Sequence, residues 1–112
     1  MTVYVVQKQM RFDSSSGNLV PKFPGLFQAE KWGELAYLLS PTASPFNAEG
    51  ILQDLRFKLK HFCDEDYLVL IGNPALIGAA TSIAAYANGG RVKCLQWSGR
   101  QKDYAEIFFR LC

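Results

Sequence analysis

Two short polar segments of this sequence each precede a predicted helix. Thr42 and Ser44 lie in the first segment, and Gly72 and Asn73 lie in the second. The first turn of a helix presents unpaired N–H groups and the positive end of the helix dipole, and both features attract anions. These four residues therefore predict a binding site for a phosphate or carboxylate group. The alternative is that they only cap the two helices.

The second segment does not identify a particular ligand. Residues 72–74, Gly-Asn-Pro, lack the lysine and hydroxyl residue of a Walker A loop and the glycine spacing of a dinucleotide-binding fingerprint. The sequence therefore predicts no cofactor. A nucleotide or another small anion stays open as the ligand.

Few residues of the chain could perform catalysis. His61 is the single histidine and falls in the last turn of a predicted helix, which favours a surface role. Cys63, Cys94 and Cys112 show no Cys-x-x-Cys spacing and cannot all pair within one chain, so we interpret them as structural or incidental. Residues 64–66 are acidic but lack the glycine and later glutamate of a calcium loop. We predict no catalytic residue and no metal site, which favours a protein that is not an enzyme.

The composition is that of one globular domain. The chain has 112 residues, of which 49% are hydrophobic and 20% are charged, so we treat residues 1–112 as a single domain. A net charge of +2 is too small to indicate a nucleic acid or a membrane as the partner. The N-terminus shows no basic and apolar signal-peptide pattern, which predicts a cytoplasmic protein.

Hydrophobic periodicity and turn residues divide the chain into strands and helices. Residues 11–33 are rich in turn formers and predict an irregular loop or lid with room for one hairpin. Residues 34–39 predict a short buried strand. Residues 67–71 are five apolar residues in a row, which is typical of a strand covered on both faces. The other predicted strands are residues 2–7, 91–97 and 104–111.

Two helices connect the later strands. Ser44 is the predicted cap of the first helix, with Pro45 at its first position. Asn73 and Pro74 have the same roles in the second helix, which ends at the Asn-Gly-Gly of residues 88–90. The predicted order is strand, loop, strand, helix, strand, helix, strand, strand. Strand-helix-strand units need parallel neighbours. We therefore predict an α/β fold, a small three-layer or two-layer sandwich with three central parallel strands and an antiparallel edge hairpin.

The second predicted helix, residues 74–87, carries no charge. A small sheet cannot cover a helix that is apolar all round, so the excess predicts an interface with a partner or with a second copy, for which a homodimer is the default. Gly78 and Ser82 would permit close approach on this helix, and Trp97 and Phe108 are the candidate contact residues on the hairpin. The alternative is that residues 11–33 cover the helix.

The closing hairpin also has features of a nucleic-acid surface, because basic and aromatic residues alternate along it. We keep nucleic-acid binding as an alternative that the small net charge does not favour. The residues concerned are Arg91, Lys93, Trp97, Arg100, Lys102, Tyr104 and Arg110.

Residues 66–78, DYLVLIGNPALIG, together with residues 88–97, NGGRVKCLQW, resemble a segment of small proteins encoded by tailed bacteriophages. The shared motif is a strand, a capped helix and a strand, so it transfers no catalytic residue. The resemblance implies an early-expressed accessory protein that acts in the bacterial host cytoplasm by binding a host protein. Our first functional hypothesis is accordingly a non-enzymatic, protein-binding accessory protein that uses its aromatic loop or its closing hairpin. Small-ligand binding is the second.

Overall fold

The structure, a computed structural model, describes residues 1–111. Its strands and helices follow the predicted order, with a hairpin and a 3₁₀ helix added between the first two predicted strands. The strands are β1 (Thr2–Gln7), β2 (Met10–Asp13), β3 (Asn18–Pro21), β4 (Glu34–Leu39), β5 (Tyr67–Val69), β6 (Arg91–Ser98) and β7 (Asp103–Arg110). The helices are the 3₁₀ helix (Pro24–Trp32), α1 (Ala48–Leu59) and α2 (Pro74–Ala87).

The main sheet has the strand order β4-β1-β5-β6-β7. The first four are parallel neighbours, and β7 pairs antiparallel with β6 at the edge. The predicted α/β class and edge hairpin are therefore confirmed, with four parallel strands instead of three. The chain moves from β1 to β4 in one direction and then through β5 and β6 in the other. The winding thus reverses at β1, as in doubly wound sheets.

Helices and sheet form three layers. Both α1 and α2 pack on one face of the sheet, where Leu55 and Leu76 are among the buried residues of one core cluster. The 3₁₀ helix packs on the opposite face through Leu26 and Ala29, against residues that include Val5 of β1. Alternate side chains of the central strands β1 and β5 enter these two cores, which explains why β5 has no polar face.

Residues 11–33 contain the greater part of a regular hairpin, in which β2 pairs with β3, and the 3₁₀ helix. The alternative that this segment covers α2 is wrong, because the 3₁₀ helix lies on the other face of the sheet. Phe12 and Leu19, two apolar residues of this segment, face each other across the hairpin and are exposed.

Two predictions about residues 34–48 need correction. The predicted buried strand β4 is an edge strand, because β1 separates it from the other strands, and Tyr37 is exposed. Helix α1 begins at Ala48 with Asn47 as its N-terminal cap, not at Pro45. Ser44 lies in the preceding turn, where its hydroxyl accepts a hydrogen bond from the N–H of Phe46 at 3.2 Å.

Helix α2 has the predicted ends. The Asn73 side chain accepts a hydrogen bond from the N–H of Ala75 at 2.9 Å. Gly89 and Gly90 adopt positive φ angles of 62° and 88°, and the N–H of Gly90 donates to Ala85 O at 2.7 Å. One side of α2 is buried on the sheet, whereas its outward side is exposed.

Candidate functional site

The carboxyl ends of β1 and β5 meet where the winding of the sheet reverses, which is the usual ligand position in such folds. In this chain a side chain occupies that corner. Gln7, the last residue of β1, is 3% exposed. Its Nε2 donates to the carbonyl oxygens of Ser40 and Ala43, both at 3.1 Å, and its Oε1 accepts from the N–H of Asn73 at 2.9 Å. Gln7 thus joins three chain segments at the end of the sheet.

The backbone at Gly72 fits closely around Gln7. Gly72 has a φ angle of +138°, a region that L side chains rarely adopt. A Cβ atom at this position would lie 2.6 Å from the Cβ of Gln7. The N–H of Gln7 also donates to Ile71 O at 3.0 Å. Glycine is therefore required by both the backbone angle and the space that the glutamine occupies.

The four predicted ligand residues flank this glutamine. Gln7 links the segment that holds Thr42 and Ser44 to the segment that holds Gly72 and Asn73. Their polar groups, however, have partners within the chain. The Asn73 N–H donates to Gln7, the Asn73 side chain accepts from Ala75, and the hydroxyls of Thr42 and Ser40 lie 3.1 Å apart.

Sequence reasoning missed Gln7. The signal was a polar residue at the end of an otherwise apolar strand, TVYVVQ, directly before the chain leaves the sheet. A polar residue at the end of the first strand of an α/β protein is a candidate for the corner where the winding reverses.

A cavity of about 440 Å³ opens beside this corner, on the face that carries the 3₁₀ helix. It lies at the carboxyl ends of β5 and β6, and the segment that leads into the 3₁₀ helix closes its far side. Its lining is mostly apolar and aromatic. The lining residues are Phe23, Gly25, Leu70, Ile71, Gly72, Gln96, Trp97 and Tyr104.

Three aromatic side chains shape the cavity. Trp97 and Tyr104 are opposite each other on β6 and β7, and their rings meet edge to face with centroids 5.3 Å apart. A Cβ atom on Gly25 would lie 3.1 Å from the Trp97 ring, so the lack of a side chain at this position leaves room for the indole. Trp97 is 42% exposed and Phe23 is 40% exposed, whereas Tyr104 is buried. The cavity therefore has two accessible aromatic walls on a buried base.

The cavity has the chemistry of a binding surface. Tyr104 is the one ionisable group among its lining residues. Burial raises the pKa of Tyr104, and the nearby charge of Asp103 raises it further, so the phenol stays neutral at physiological pH. A neutral phenol, an indole and aliphatic walls can hold an apolar or planar group, but they provide no general base or nucleophile near neutral pH.

The 3₁₀ helix that borders the cavity is fixed to the hairpin at its other end. The Trp32 indole N–H and the Tyr67 hydroxyl both donate to Glu106 Oε1, at 2.7 and 2.8 Å. Lys31 forms an ion pair with Asp103, and its hydrogen bond is the main cause of the lowered pKa of that carboxyl group. These contacts hold the 3₁₀ helix against β7 over a sequence separation of more than seventy residues.

The four predicted interface residues do not form one surface. Gly78 and Ser82 are exposed on α2, on the helix face of the sheet, and Ser82 borders a groove of about 570 Å³ between α1 and α2. Trp97 and Phe108 lie on the opposite face, because they alternate with the residues that pack under the helices. Of the four, Trp97 lines the aromatic cavity.

The basic residues of the hairpin are divided into two groups. Arg91 and Arg110 are opposite each other at one end of the β6–β7 pair, with Lys93 beside them. The other group, Arg100 and Lys102, lies at the turn that joins the two strands. Glu106 interrupts the row between them on β7, so the geometry does not give a continuous basic surface.

Neither thiol that the structure describes has the surroundings of a nucleophile. Cys94 is buried, and desolvation raises its pKa to about 11. Cys63 is exposed, with Sγ 3.4 Å from Asp66 Oδ2. Cys112 lies outside the described residues. His61 is exposed, and within residues 1–111 no three histidine, cysteine, aspartate or glutamate side chains approach closely enough to hold a metal ion.

Fold and cavity together define a small doubly wound α/β protein with a concave aromatic surface at the carboxyl end of its sheet. None of the helices in residues 1–111 is long and apolar enough to cross a membrane. The chain belongs to the Phage Pam3 gp32-like protein family, whose model matches residues 1–111. It is therefore a phage-encoded accessory protein, and the resemblance to phage proteins is confirmed. No curated protein and no solved structure matches the chain.

Proposed function

We propose that this chain is a non-enzymatic accessory protein that binds a host protein in the bacterial cytoplasm. The cavity beside Trp97 is its contact site and receives an apolar or aromatic side chain of the partner. The observation that carries the proposal is the pair of half-exposed aromatic walls, Trp97 and Phe23, around a cavity of about 440 Å³.

Accessible aromatic residues around a concave surface are typical of protein interfaces. Tryptophan and tyrosine are enriched among the residues that contribute most to binding free energy, and such residues cluster in pockets that exclude water. Trp97 combines a large apolar surface with a fixed position between Tyr104 and Gly25. The free energy of binding to such a rigid wall is not reduced by the entropy of ordering it.

The chemistry of the cavity supports binding without catalysis. A neutral, buried Tyr104 is its one ionisable lining residue, and a hydrolytic or transfer reaction needs a nucleophile or a base within hydrogen-bond reach of the substrate. Membership of a phage protein family favours a host protein as the partner.

A capture experiment tests the cavity as the contact site. Wild-type protein, Trp97→Ala and Tyr86→Ala are immobilised and exposed to a lysate of the bacterial host, and the retained proteins are identified by mass spectrometry. Tyr86 is the matched control, because it is an exposed aromatic residue on α2. We expect one host protein to be retained by the wild type and by Tyr86→Ala. Its affinity for Trp97→Ala should be at least about 30-fold lower, which corresponds to the loss of a central interface residue.

Fluorescence then locates the contact. The chain has two tryptophans, so Trp32→Phe leaves Trp97 as the single indole. Addition of the captured partner should shift the Trp97 emission to shorter wavelength, because the ring loses its contact with water. If the partner binds but the emission of Trp97 does not change, the contact lies elsewhere. The same conclusion follows if only Tyr86→Ala loses binding.

A small ligand in the same cavity is the second candidate. Its volume lies within the range of small-molecule sites, and its place at the carboxyl ends of β5 and β6 is a usual ligand position. The aromatic walls favour a planar ring, such as a nucleobase, over a bare anion. A thermal-shift screen with nucleosides and nucleotides should then raise the melting temperature of the wild type but not of Trp97→Ala. No shift with any compound would exclude these ligands.

A further inference from the structure

Strand β7 forms a free edge of the main sheet. It pairs with β6 over eight consecutive residue pairs, from Arg91↔Arg110 to Ser98↔Asp103, with no bulge. Its sequence, DYAEIFFR, contains no proline, glycine or lysine. Natural edge strands are often protected from pairing with another chain by proline, by charged side chains, especially lysine, or by bulges. This edge has no proline, lysine or bulge, and its charged residues, Asp103, Glu106 and Arg110, are of both signs.

The hydrogen-bond pattern shows which backbone groups of β7 are free. The N–H of Leu111 donates to Gly90 O at 2.7 Å, so Leu111 directs its backbone groups toward β6. In an antiparallel pair this direction alternates along the strand. The even-numbered residues of β7 therefore direct their N–H and C=O groups outward, away from the sheet. These residues are Tyr104, Glu106, Phe108 and Arg110.

The opposite edge of the sheet, β4, is protected. The carbonyl of Leu39 accepts a hydrogen bond from the N–H of Lys8, which continues β1, so the carbonyl of Leu38 points outward. Lys58 of α1 reaches this outward carbonyl, with Nζ 2.6 Å from Leu38 O. A lysine ammonium thus occupies an acceptor on one edge, whereas β7 has no equivalent on the other.

The side chains of β7 complement a second copy of the same strand. If two β7 strands run antiparallel with Phe108 opposite Phe108, Glu106 of each copy faces Arg110 of the other on the same face of the sheet. On the opposite face, Ile107 of each copy faces Phe109 of the other. This register also uses the outward backbone groups, because Phe108 is one of the residues that direct them away from β6.

The charges within one copy favour this register. Arg110 lies directly opposite Arg91 on β6, and Arg91 is already paired with Asp64, with Nε 3.0 Å from Oδ1. Glu106 of a second copy would place a carboxylate beside Arg110 as well. Phe108 is 57% exposed, and a twofold axis at this residue would bury the two rings against each other.

We propose that two copies of this chain form a homodimer through antiparallel pairing of their β7 strands, with the twofold axis at Phe108. The two five-stranded sheets then form one continuous sheet, and the two aromatic cavities lie on the same face of it. The helix α2, which the sequence offered as the dimer surface, stays outside this interface.

Light scattering coupled to size exclusion, repeated over a range of protein concentrations, measures the association. Wild type should change from monomer to dimer as concentration rises. Arg110→Glu places two carboxylates opposite each other at both symmetric sites, and we expect it to weaken association about tenfold or more. Tyr86→Glu and Ser82→Lys change the charge of the exposed α2 face and should leave association unchanged.

Phe108→Pro tests the backbone pairing itself. The N–H of Phe108 points away from β6, and proline is tolerated on an edge strand where the N–H faces solvent. The variant should keep the wild-type far-ultraviolet circular dichroism and remain monomeric. A second variant, Phe108→Cys, tests the register, because directly opposite residues in a hydrogen-bonded antiparallel pair lie about 5.5 Å apart at Cα, within the range of a disulfide.

Under mild oxidation, Phe108→Cys should form covalent dimers well above the wild-type background, and Lys93→Cys, one strand further from the axis, should not. A wild type that is monomeric at every concentration would overturn the proposal. A dimer that survives Arg110→Glu and Phe108→Pro but is lost in Ser82→Lys would also overturn it, in favour of pairing through α2.

Discussion

The carboxyl end of the sheet has two positions where this fold could bind a ligand. A side chain of the protein fills one of them, and the other is open. At the corner where the winding reverses, the buried side chain of Gln7 fills the space and is hydrogen-bonded to two other chain segments. One step along the sheet, at the ends of β5 and β6, the Trp97 cavity is open. Gly72 borders both places.

The difference shows that topology alone does not make a binding site. A site needs polar groups or surfaces that the protein itself has left without a partner. Gln7 already uses the amide and carbonyl groups of its corner, as a ligand would, so that corner contributes to stability. The aromatic walls of the cavity are half exposed, so burying them against a ligand or partner would contribute favourably to the free energy of binding.

Of the substitutions that test this comparison, Gly72→Ala should have the largest effect on the free energy of unfolding. Alanine at a φ angle of +138° is strained. Its Cβ would lie 2.6 Å from the Cβ of Gln7, and that atom cannot move away because it is bonded directly to the backbone. We expect a loss of about 4 kcal/mol in the free energy of unfolding, measured by urea denaturation.

The matched control is Gly78→Ala, because this exposed helical glycine has open space around it. It should stabilise the protein by about 0.5–1 kcal/mol, since alanine is the better helix former. Equal effects of the two substitutions would contradict the close fit at Gly72.

Gln7→Ala should have the next largest effect. It leaves the Asn73 N–H and the carbonyls of Ser40 and Ala43 without their side-chain partner in a partly buried place. We expect a loss of about 2–3 kcal/mol in the free energy of unfolding. Gln9→Ala, which removes one hydrogen bond to Gln7 Oε1, is the control and should cost less than about 1 kcal/mol. A Gln7→Ala variant as stable as Gln9→Ala would show that water replaces these bonds.

Gly25→Ala makes the same substitution on the cavity side and should have a smaller effect. The new Cβ would lie 3.1 Å from the ring of Trp97, but that ring is half exposed and can shift by a few tenths of an ångström. We expect a change of no more than about 1 kcal/mol in the free energy of unfolding, together with a change in Trp97 emission in the Trp32→Phe background. A loss as large as that of Gly72→Ala would mean that the cavity is as tightly fitted as the Gln7 corner.

Acid should slightly weaken the contact between the 3₁₀ helix beside the cavity and β7, because this contact includes the Asp103 carboxylate. The hydrogen bonds of the neutral Gln7 amide should not change. The hydrogen bond from Lys31 lowers the pKa of Asp103 below its ordinary value of 3.8 in the folded state. A carboxyl group with a lowered folded pKa stabilises the protein above its unfolded pKa, and this contribution is lost as pH falls through the folded pKa.

The stability of the wild type should therefore fall as pH decreases below about 4, and that of Asp103→Asn should fall less steeply. Urea midpoints at pH 5 and pH 3 measure the difference. Glu65→Gln removes the same charge at another exposed position and serves as the control. Identical pH slopes for wild type and Asp103→Asn would show that the ion pair does not stabilise the fold.

Much of the fold could be predicted from short-range patterns. The continuous apolar run at residues 67–71 predicted the central strand, and Asn73, Pro74 and the glycines after α2 predicted the ends of that helix. The start of α1 was predicted three residues early, because Ser44 has the chemistry of a cap but uses it in a turn before the helix.

The candidate site was less predictable. The four expected ligand residues do lie around one corner, yet the residue that fills it was not recognised. Trp97 was recognised as a contact residue, but its cavity exists because the segment at Phe23 and Gly25 passes over the ends of β5 and β6. Nothing near Trp97 in the sequence indicates that neighbour.

By itself, the sequence determined which residues form strands and helices and where α2 begins and ends, because these depend on hydrogen bonds and side-chain patterns within a few residues. The tertiary structure decided which strand ends meet. Gln7 and Asn73 are separated by 66 positions, and only the strand order β4-β1-β5 brings them within 2.9 Å. The same order leaves β7 at the edge and the Trp97 cavity open, because contacts between distant segments depend on how the layers pack and not on local propensity.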